Sequence, residues 1–237
     1  MAKRLLVCDF DGTIDLKNNR RHMGEVMNVL DHLAEDVVFA VASGRPLHLL
    51  LPYFKDCYII SNDGALITYG NRILYSNPIH KEEISEFCNN REWVAHGGCI
   101  SYLHTNSRAR LSSWRKTYDN HVVRVSDLSH VEEDIYKIFF TDKVSPPDGL
   151  KQCYASYGIM EYTSTNTDKG IAVATLSQLL NIDKEHITAF GDGENDIPMF
   201  KTAGRSFASA NSSPKVRAAA DMIYTSLKER LLEYEKF

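Results

Sequence analysis

The sequence predicts an α/β fold built on a doubly wound parallel sheet, with a smaller α+β domain inserted into it. Short segments that are apolar almost throughout alternate with amphipathic helical patterns, as in parallel sheets covered on both faces. This alternation stops near residue 78 and resumes after residue 163. Because the intervening segment is more polar and mixed in pattern, we expect it to form a second domain.

The first part of the chain is predicted to supply three buried strands and two helices. The strands lie at residues 4–10 (RLLVCDF), 37–43 (VVFAVAS) and 57–61 (CYIIS), and the helices at residues 23–35 and 45–54. A hairpin follows at residues 65–76, since Gly70 and Asn71 form a turn signal between two strand patterns. This order is typical of the first half of a parallel α/β sheet.

The middle and last parts of the chain complete the two predicted domains. The inserted segment carries a helix near residues 81–89, a polar stretch at 104–117 and a strand at 135–141. Alternating elements then return, with helices at 168–180 and 197–201, strands at 186–192 and 205–210, and a helix from Pro214. We therefore predict a discontinuous core at residues 1–77 and 164–237, interrupted by a domain at residues 78–163.

Composition limits the class of protein. The 237 residues carry a formal net charge of -4, without the clustered Lys and Arg of a nucleic-acid surface. The five cysteines are widely spaced and form no Cys-x-x-Cys pair, which argues against a disulfide framework and a zinc site. Apolar runs are shorter than the ~20 residues of a membrane span. We expect a cytoplasmic protein, a monomer or small homo-oligomer, with no nucleic-acid or membrane partner.

Two carboxylates follow the first predicted strand. Asp9 and Asp11 are two residues apart, so their side chains can point the same way, and Gly12 permits a tight turn. They lie at the carboxyl end of a parallel strand, where open α/β sheets bind ligands. The alternative is structural: Asp9 caps the next element and Asp11 belongs to an Asp-Gly turn.

Two other segments offer groups that bind phosphate. Ser43 and Gly44 end the second strand, and Pro46 suits the first turn of a helix, whose backbone N–H groups bind anions. Arg45 and Lys169 place cations at helix starts, which is unfavourable by ~0.3–1 kcal/mol unless an anion lies between them. The alternatives are an N-cap role for Ser43 and a solvated Lys169.

The last strand end is the most acidic. In GDGENDIPM, at residues 191–199, four carboxylate or amide side chains precede a helix: Asp192, Glu194, Asn195 and Asp196. Helix capping alone requires one such residue, whereas oxygen ligands at this density suit Mg²⁺. Together these segments supply a nucleophile, an acid, metal ligands and cations, which are the groups that phosphoryl transfer requires.

These segments resemble, in the same order, the motifs of the haloacid dehalogenase (HAD) superfamily of phosphatases, and within it the Cof-like subgroup with a type IIB cap. They are DFDGT at residues 9–13, SGR at 43–45, DKG at 168–170 and GDGENDIPM at 191–199. The resemblance covers essentially the whole predicted core. It implies a Rossmann-like core domain with the inserted domain as its cap.

The resemblance also implies a role for each residue. Asp9 attacks the phosphorus to form an aspartyl phosphate, and Asp11 protonates the leaving alcohol and later activates water. Mg²⁺ is held by Asp9, the backbone carbonyl of Asp11, and Asp192, with Asp196 in support. The implied phosphate-binding residues are Ser43, Gly44, Arg45, Lys169 and Asn195.

The reaction that the resemblance implies is hydrolysis of a small phosphorylated metabolite, a sugar or polyol phosphate. The superfamily's ATPases usually lack the acid at Asp11, and the long segment between Ser43 and Lys169 places the cap as in the phosphatases. The alternatives are a phosphotransferase or phosphomutase that uses the same intermediate, and a non-catalytic protein that binds a phosphorylated metabolite. The sequence departs from the subgroup at Asp63, where Asn is common. The cap residues that are candidates for specificity are Arg108, Arg110, Trp114 and Arg115.

Overall fold

The computed structural model describes residues 3–16, 19–118, 120–140, 145, 147–156 and 159–234. The chain divides into two compact units. The first unit contains Met1–Ser43, Asp56–Ile60 and Asp168–Phe237, and the second contains Gly44–Lys55 and Ser61–Thr167. The domain boundaries at residues 77 and 163 stay a prediction.

The described residues form eight α-helices and fourteen strands, joined by turns and short 3-10 helices. The helices are α1 (Arg20–Leu30), α2 (Leu47–Leu50), α3 (Lys81–Cys88), α4 (Arg108–Thr117), α5 (Lys169–Leu180), α6 (Ile197–Thr202), α7 (Pro214–Ala219) and α8 (Leu227–Tyr234). The strands are β1 (Arg4–Asp9), β2 (Val37–Ala42), β3 (Tyr58–Ser61), β4 (Leu66–Tyr69), β5 (Arg72–Ser76), β6 (Trp93–His96), β7 (Ser101–His104), β8 (Val122–Arg124), β9 (Lys137–Phe140), β10 (Leu150–Ser156), β11 (Ile159–Ser164), β12 (Ile187–Gly191), β13 (Arg205–Ser209) and β14 (Met222–Tyr224). Across this described part of the chain, no helix is long and apolar enough to cross a membrane.

A parallel sheet forms the centre of the first unit. Its strands lie in the order β14-β13-β12-β1-β2-β3, and every neighbouring pair runs parallel. The chain adds β2 and β3 on one side of β1 and the later strands β12 to β14 on the other. Strand β1 is buried from Leu5 to Asp9 and β12 along its whole length, as expected of strands covered on both faces. This is the doubly wound α/β sheet that the sequence predicts.

Two helices of the first part of the chain differ from their predicted bounds. Helix α1 begins at Arg20, before the predicted residue 23, because the Asn19 side chain caps it by accepting a hydrogen bond from the backbone N of His22 at 3.0 Å. The helix predicted at residues 45–54 is only the single turn α2. Leu51 still has helical dihedral angles, but Pro52 has no backbone N–H and cannot donate the next hydrogen bond of the helix.

The second unit contains the hairpin β4–β5 and a six-stranded sheet in the order β10-β11-β9-β6-β7-β8. All neighbours in this sheet are antiparallel except β7 and β8. Trp93 and Phe140 belong to one apolar cluster, whereas the adjacent Val94 and Phe139 belong to another. Because successive strand residues point to opposite faces, both faces of this sheet are packed.

Helix α4 occupies the segment that the sequence analysis treats only as a polar stretch. Ser107 caps it by accepting a hydrogen bond from the backbone N of Arg110 at 3.2 Å. No α4 residue is fully buried, but Leu111 and Trp114, three residues apart, pack against an apolar cluster. The Ser107 N-cap and the three-residue spacing of Leu111 and Trp114 are the features of the sequence that indicate this helix.

A cluster of histidines lies in the second unit, in which His48 and His96 are buried and His121 is exposed. His48 and His96 both approach the Ser101 hydroxyl, with ring nitrogens at 3.5 and 2.7 Å, and the His48 ring stacks on His121 at 5.3 Å between centroids. Burial, with a smaller contribution from His121, lowers the pKa of His48 to about 4. Burial likewise lowers the pKa of His96 well below its usual value, so His48 and His96 are neutral near pH 7.

Acidification is expected to destabilise this cluster. An unfolded histidine takes up a proton near pH 6.5, whereas folded His48 does so only near 4. The unfolded state therefore binds more protons, so this contribution to stability is present above pH 6.5 and is lost as the pH falls toward 4. We expect the urea midpoint to fall between pH 7 and pH 5 by more in the wild type than in His48→Gln. Equal pH dependence of the two would contradict the prediction.

Candidate active site

Two acidic strand ends meet at the centre of the first unit. Asp9 is the last residue of β1, and Asp192 directly follows β12, which ends at Gly191. The two strands pair in parallel, with Cys8 opposite Phe190, so the residues that follow them lie side by side. The order of strands along the chain reverses here, and open α/β sheets bind ligands at such a point.

The loop after β1 folds tightly against Asp192. Asp15 N donates a hydrogen bond to Phe10 O at 2.7 Å, and Gly12 N donates to Asp15 O at 2.9 Å. Gly12 has a φ of +85°, and a Cβ atom at this position would overlap the Asp192 carboxylate. Thr13 Oγ1 donates to Asp192 Oδ1 at 3.0 Å. The loop therefore requires glycine at position 12 for both its conformation and its close approach.

Substitution of Gly12 by alanine is expected to lower the free energy of unfolding by at least about 1–2 kcal/mol, because a left-handed conformation costs a residue with Cβ roughly this much before any overlap is counted. Gly24→Ala is the matched control. Gly24 is exposed within α1 with no atom near its added Cβ, so alanine there should stabilise by about 0.5–1 kcal/mol. Urea denaturation of both variants measures this, and changes of the same sign would contradict the prediction.

Lys169 is fully buried between two carboxylates. Its Nζ donates to Asp9 Oδ1 at 2.5 Å and to Asp196 Oδ1 at 2.6 Å. Asp168 caps helix α5 by accepting a hydrogen bond from the backbone N of Ile171 at 2.8 Å, which makes Lys169 the first helical residue. The alternative of a solvated lysine is wrong, since the Lys169 side chain is 0% exposed.

Asp196 organises the loop that follows β12. Its Oδ2 accepts hydrogen bonds from the backbone N of Asp192 at 2.9 Å and of Gly193 at 2.8 Å. Its Oδ1 accepts the bond from Lys169, so both oxygens of this fully buried carboxylate are engaged. Asp196 therefore supports the positions of Asp192 and Lys169.

This centre brings three carboxylates together with the buried ammonium group of Lys169, which bonds to two of them. Oxygens of Asp9, Asp192 and Asp196 lie within 4.8 Å of one another. Burial, followed by the charge of Asp196, raises the pKa of Asp9 well above its usual range, although Lys169 acts to lower it. Burial and Asp196 likewise raise the pKa of Asp192. Burial and the charge of Asp196 thus disfavour the ionised forms of Asp9 and Asp192.

This acidic centre fits a divalent cation. Hard cations such as Mg²⁺ bind carboxylate oxygens, and a second positive charge would offset the repulsion among the three groups. Asp9 and Asp192 suit this role better than Asp196, whose oxygens already accept bonds from Lys169 and two backbone N–H groups. The centre could therefore hold a metal ion, as the sequence predicts.

Ser43 lies beyond the same sheet edge. Asp9 of β1 pairs with Ala42 of β2, so Ser43 leaves the sheet next to the acidic centre. The Ser43 side chain is buried, and its backbone N donates to Ile60 O at 2.8 Å. The helix predicted to begin after Ser43 is only the four-residue α2. Its dipole therefore contributes little to the binding of an anion at Ser43.

The other predicted residues are less enclosed. Asp11 is partly exposed in the loop after β1, where it forms an isolated bridge with Asp15. Asn195 is exposed on the 3-10 helix Glu194–Asp196. Gly44 and Arg45 follow Ser43 in the chain and belong to the second unit. The roles of these residues stay predictions.

Sequence reasoning gave no role to two residues that contact this centre. Thr13 donates to Asp192, and the buried Tyr224 hydroxyl lies 3.4 Å from Thr13 Oγ1, to which it donates. The position of Thr13, directly after Asp11 and Gly12, is the feature of the sequence that indicates a role for its hydroxyl. Tyr224 is the last residue of the short strand β14, far along the chain, and nothing near it in the sequence points to Thr13.

The specificity candidates in the second unit lie on α4. Arg110 forms an ion pair with Glu92, and Trp114 stacks on Tyr118 at 5.4 Å between ring centroids. These two side chains therefore contribute to the packing of their own unit. A role in specificity for Arg108, Arg110, Trp114 and Arg115 stays a prediction.

The parallel sheet thus carries a buried acidic centre at the carboxyl ends of its strands. A family model described as haloacid dehalogenase-like hydrolase matches residues 6–230. The chain belongs to this family. The predicted family, the α/β fold and the class of enzyme, a phosphatase of this family, are thus confirmed.

Individual proteins are similar to the chain in sequence or in fold. The chain is 24% identical over 247 residues to 5-amino-6-(5-phospho-D-ribitylamino)uracil phosphatase YbjI of Escherichia coli K12, covering 93% of this chain and 90% of YbjI. A crystal structure from Streptococcus mutans UA159 has a TM-score of 0.83 at 22% identity and full coverage of both chains, 100% and 100%. The HAD subclass IIB sugar phosphatase BT4131 has a TM-score of 0.78 at 18% identity, covering 98% of this chain and 97% of its own.

Proposed function

We infer that the chain hydrolyses a small phosphorylated metabolite, a sugar or polyol phosphate, in a Mg²⁺-dependent reaction through an aspartyl-phosphate intermediate. The observation that carries this proposal is the Asp9 carboxylate. It is buried at the carboxyl edge of a parallel sheet, 2.5 Å from Lys169 Nζ and close to Asp192. A purely structural aspartate has no need of this position, since burying a carboxylate among others is costly.

Asp9 is the proposed nucleophile. One of its carboxylate oxygens forms a bond to phosphorus while the bond from phosphorus to the ester oxygen breaks. Asp11, two residues on in the tight loop after β1, gives its proton to the departing alcohol. In the second half of the reaction Asp11 takes a proton from water, which attacks the aspartyl phosphate and releases inorganic phosphate. This sequence restores the Asp9 carboxylate and returns a proton to Asp11.

The charge of the phosphoryl group requires cations. Lys169 is buried against Asp9 and places its ammonium charge beside the reacting carboxylate. Ser43, Gly44, Arg45 and Asn195 are the further proposed contacts of the phosphoryl oxygens. Asp9, Asp192 and the backbone carbonyl of Asp11 would hold Mg²⁺, with Asp196 in support. When bound, Mg²⁺ supplies charge that lowers the repulsion between an anionic nucleophile and an anionic phosphoryl group.

The substrate class is supported by two of the similar proteins. YbjI is named for a substrate with a phosphorylated ribityl chain, which is a polyol phosphate. BT4131 is described as a sugar phosphatase. Both names fit a small phosphate ester with several hydroxyl groups, and this is the class that we propose for the present chain.

A substrate panel tests the proposal. Phosphate release is measured from sugar, polyol, nucleotide and glycerol phosphates, with Mg²⁺ or with EDTA. We expect release to be fastest from a sugar or polyol phosphate and to be absent in EDTA. Binding without release from any compound would contradict the proposal and favour a binding protein. Transfer of phosphate to an added sugar, faster than hydrolysis, would favour a phosphotransferase.

A further inference from the structure

A second buried lysine lies outside the acidic centre, within the second unit. Lys137 is on β9, and its side chain is 2% exposed. Its ammonium group donates to Gly44 O at 2.8 Å and to Glu161 Oε2 at 3.1 Å, and it forms an ion pair with Asp63. An ammonium group has three protons, so these three acceptors satisfy it completely. Such saturation gives the group a defined position, unlike a lysine at the surface.

Lys137 occupies a place that would otherwise suit a metal ion. Ligand atoms of Asp63, Cys153 and Glu161 lie within 4.8 Å of one another. Burial acts to lower the pKa of Lys137, but Asp63, Cys153 and Glu161 together hold it well above its usual range. The cation of this cluster is therefore the lysine itself. The cluster also explains the departure at Asp63, since a carboxylate there gains a buried partner that an amide would not match.

The same cluster contacts the backbone that follows Ser43. Gly44 O accepts from Lys137, and Arg45 O accepts from the backbone N of Asn62 at 2.9 Å. A Cβ atom on Gly44 would lie 3.1 Å from Asp63 Oδ1 and 3.4 Å from Lys137 Nζ, so the chain passes directly over the ion pair. Two successive carbonyls of the segment 43–45 are thus each held by a partner.

The turn that presents Asp63 is conformationally costly. Asn62 and Asp63 both have left-handed backbones, with φ of 51° and 56°. Asn and Asp tolerate this conformation better than other residues with a Cβ atom, but it persists only where the surroundings hold it. In this turn the surroundings include the Lys137 ion pair and the hydrogen bond to Arg45 O.

We propose that Lys137 is a positioning residue for the phosphate-binding segment 43–45, acting through the carbonyl of Gly44. A trans peptide is planar, so its C=O and the following N–H point in opposite directions. By holding Gly44 O, Lys137 determines the direction of the Arg45 N–H. An ammonium group on the carbonyl also polarises the peptide and strengthens that N–H as a donor to phosphoryl oxygens. This inference rests on the proposed phosphatase function.

The test separates the effect of the Lys137 hydrogen bond to Gly44 O from the effect of its ion pair with Asp63. Lys137→Met alone leaves buried Asp63 without its cation and risks unfolding. The comparison is therefore between Asp63→Asn, which keeps Lys137 on Gly44 O, and the double variant Asp63→Asn/Lys137→Met. Asparagine tolerates the left-handed backbone at position 63. Glu161 is partly exposed, at 19% of its side chain, and can be hydrated when Lys137 is removed.

The readouts are the KM for the preferred phosphate ester, kcat, and the inhibition constant of inorganic phosphate. Relative to Asp63→Asn, we expect the double variant to raise the KM and the inhibition constant about tenfold, the effect of one misplaced hydrogen bond to a charged group, with a smaller change in kcat. Circular dichroism verifies that both variants are folded.

Three results would overturn the inference. The first is a folded double variant whose constants equal those of Asp63→Asn. The second is a double variant that does not fold while Asp63→Asn does, because Lys137 would then be needed for the fold and not for positioning alone. The third is an absence of turnover in the unaltered chain, which would overturn the proposed function together with this inference. The first two leave the proposed function intact, so the failures are distinguishable.

Discussion

Asp9→Asn is expected to lower phosphate release by at least about a thousandfold, since removing a covalent nucleophile leaves only the contribution of binding and electrostatics. An amide oxygen cannot form the aspartyl phosphate. Asp11 does not replace Asp9 as the nucleophile, because it lies in the loop after β1 and not at the end of the strand. The measurement is Mg²⁺-dependent turnover of the best substrate of the panel. Asp183→Asn, an exposed carboxylate outside the centre, is the control and should leave turnover unchanged.

The same substitution is expected to leave the fold intact, which separates lost chemistry from lost structure. Burial and Asp196 raise the pKa of Asp9, so its ionised form costs the folded state stability at pH 7. A neutral amide of equal size removes that cost, while Lys169 keeps its bond to Asp196. The urea midpoint of Asp9→Asn in EDTA should equal or exceed that of the wild type. Substantial residual turnover would exclude Asp9 as the nucleophile.

The convergence of the acidic residues could be predicted because it depends on topology alone. Strands β1 and β12 are apolar over most of their length, which marks them as buried parallel strands. Strand β1 ends in Asp9, and β12 is followed by Asp192. The carboxyl ends of neighbouring parallel strands share one edge, so Asp9 and Asp192 had to lie close together if the strands were neighbours. The apolar pattern of the sequence does not show that β1 and β12 are neighbours. Their pairing follows from the packing of the whole sheet.

The second unit was harder to interpret because its strands are short and carry buried polar residues. His96 and Ser101 are both fully buried, in strands of four residues each, so apolar periodicity is interrupted where it would be most informative. The ion pair of Lys137 with Asp63 is equally difficult to predict from the sequence. The departure at Asp63 was visible in the sequence, but its partner lies far along the chain, and only the folded structure brings them together.

Lys169→Met is expected to have the largest effect on stability. The variant leaves Asp9 and Asp196 without the ammonium group that bonds to both, in a site where neither is more than 7% exposed. Removing one partner of a buried charge pair costs about 3–5 kcal/mol, because the remaining charge is neither hydrated nor neutralised. Urea denaturation at pH 7 in EDTA measures the loss. Turnover should fall as well, since the phosphoryl group loses a proposed cation.

Lys215→Met is the matched control for that loss. Lys215 forms an ion pair with Glu194 that is as short as the pair between Lys169 and Asp9, at 2.5 Å, but the side chains are 68% and 60% exposed. Exposed pairs contribute no more than about 1 kcal/mol. The two variants therefore remove the same chemical group at the same distance from a carboxylate, and they differ in burial and in the second partner of Lys169. If they lowered the free energy of unfolding equally, burial of Lys169 could not be the reason for its contribution, and the electrostatic account of the acidic centre would be wrong.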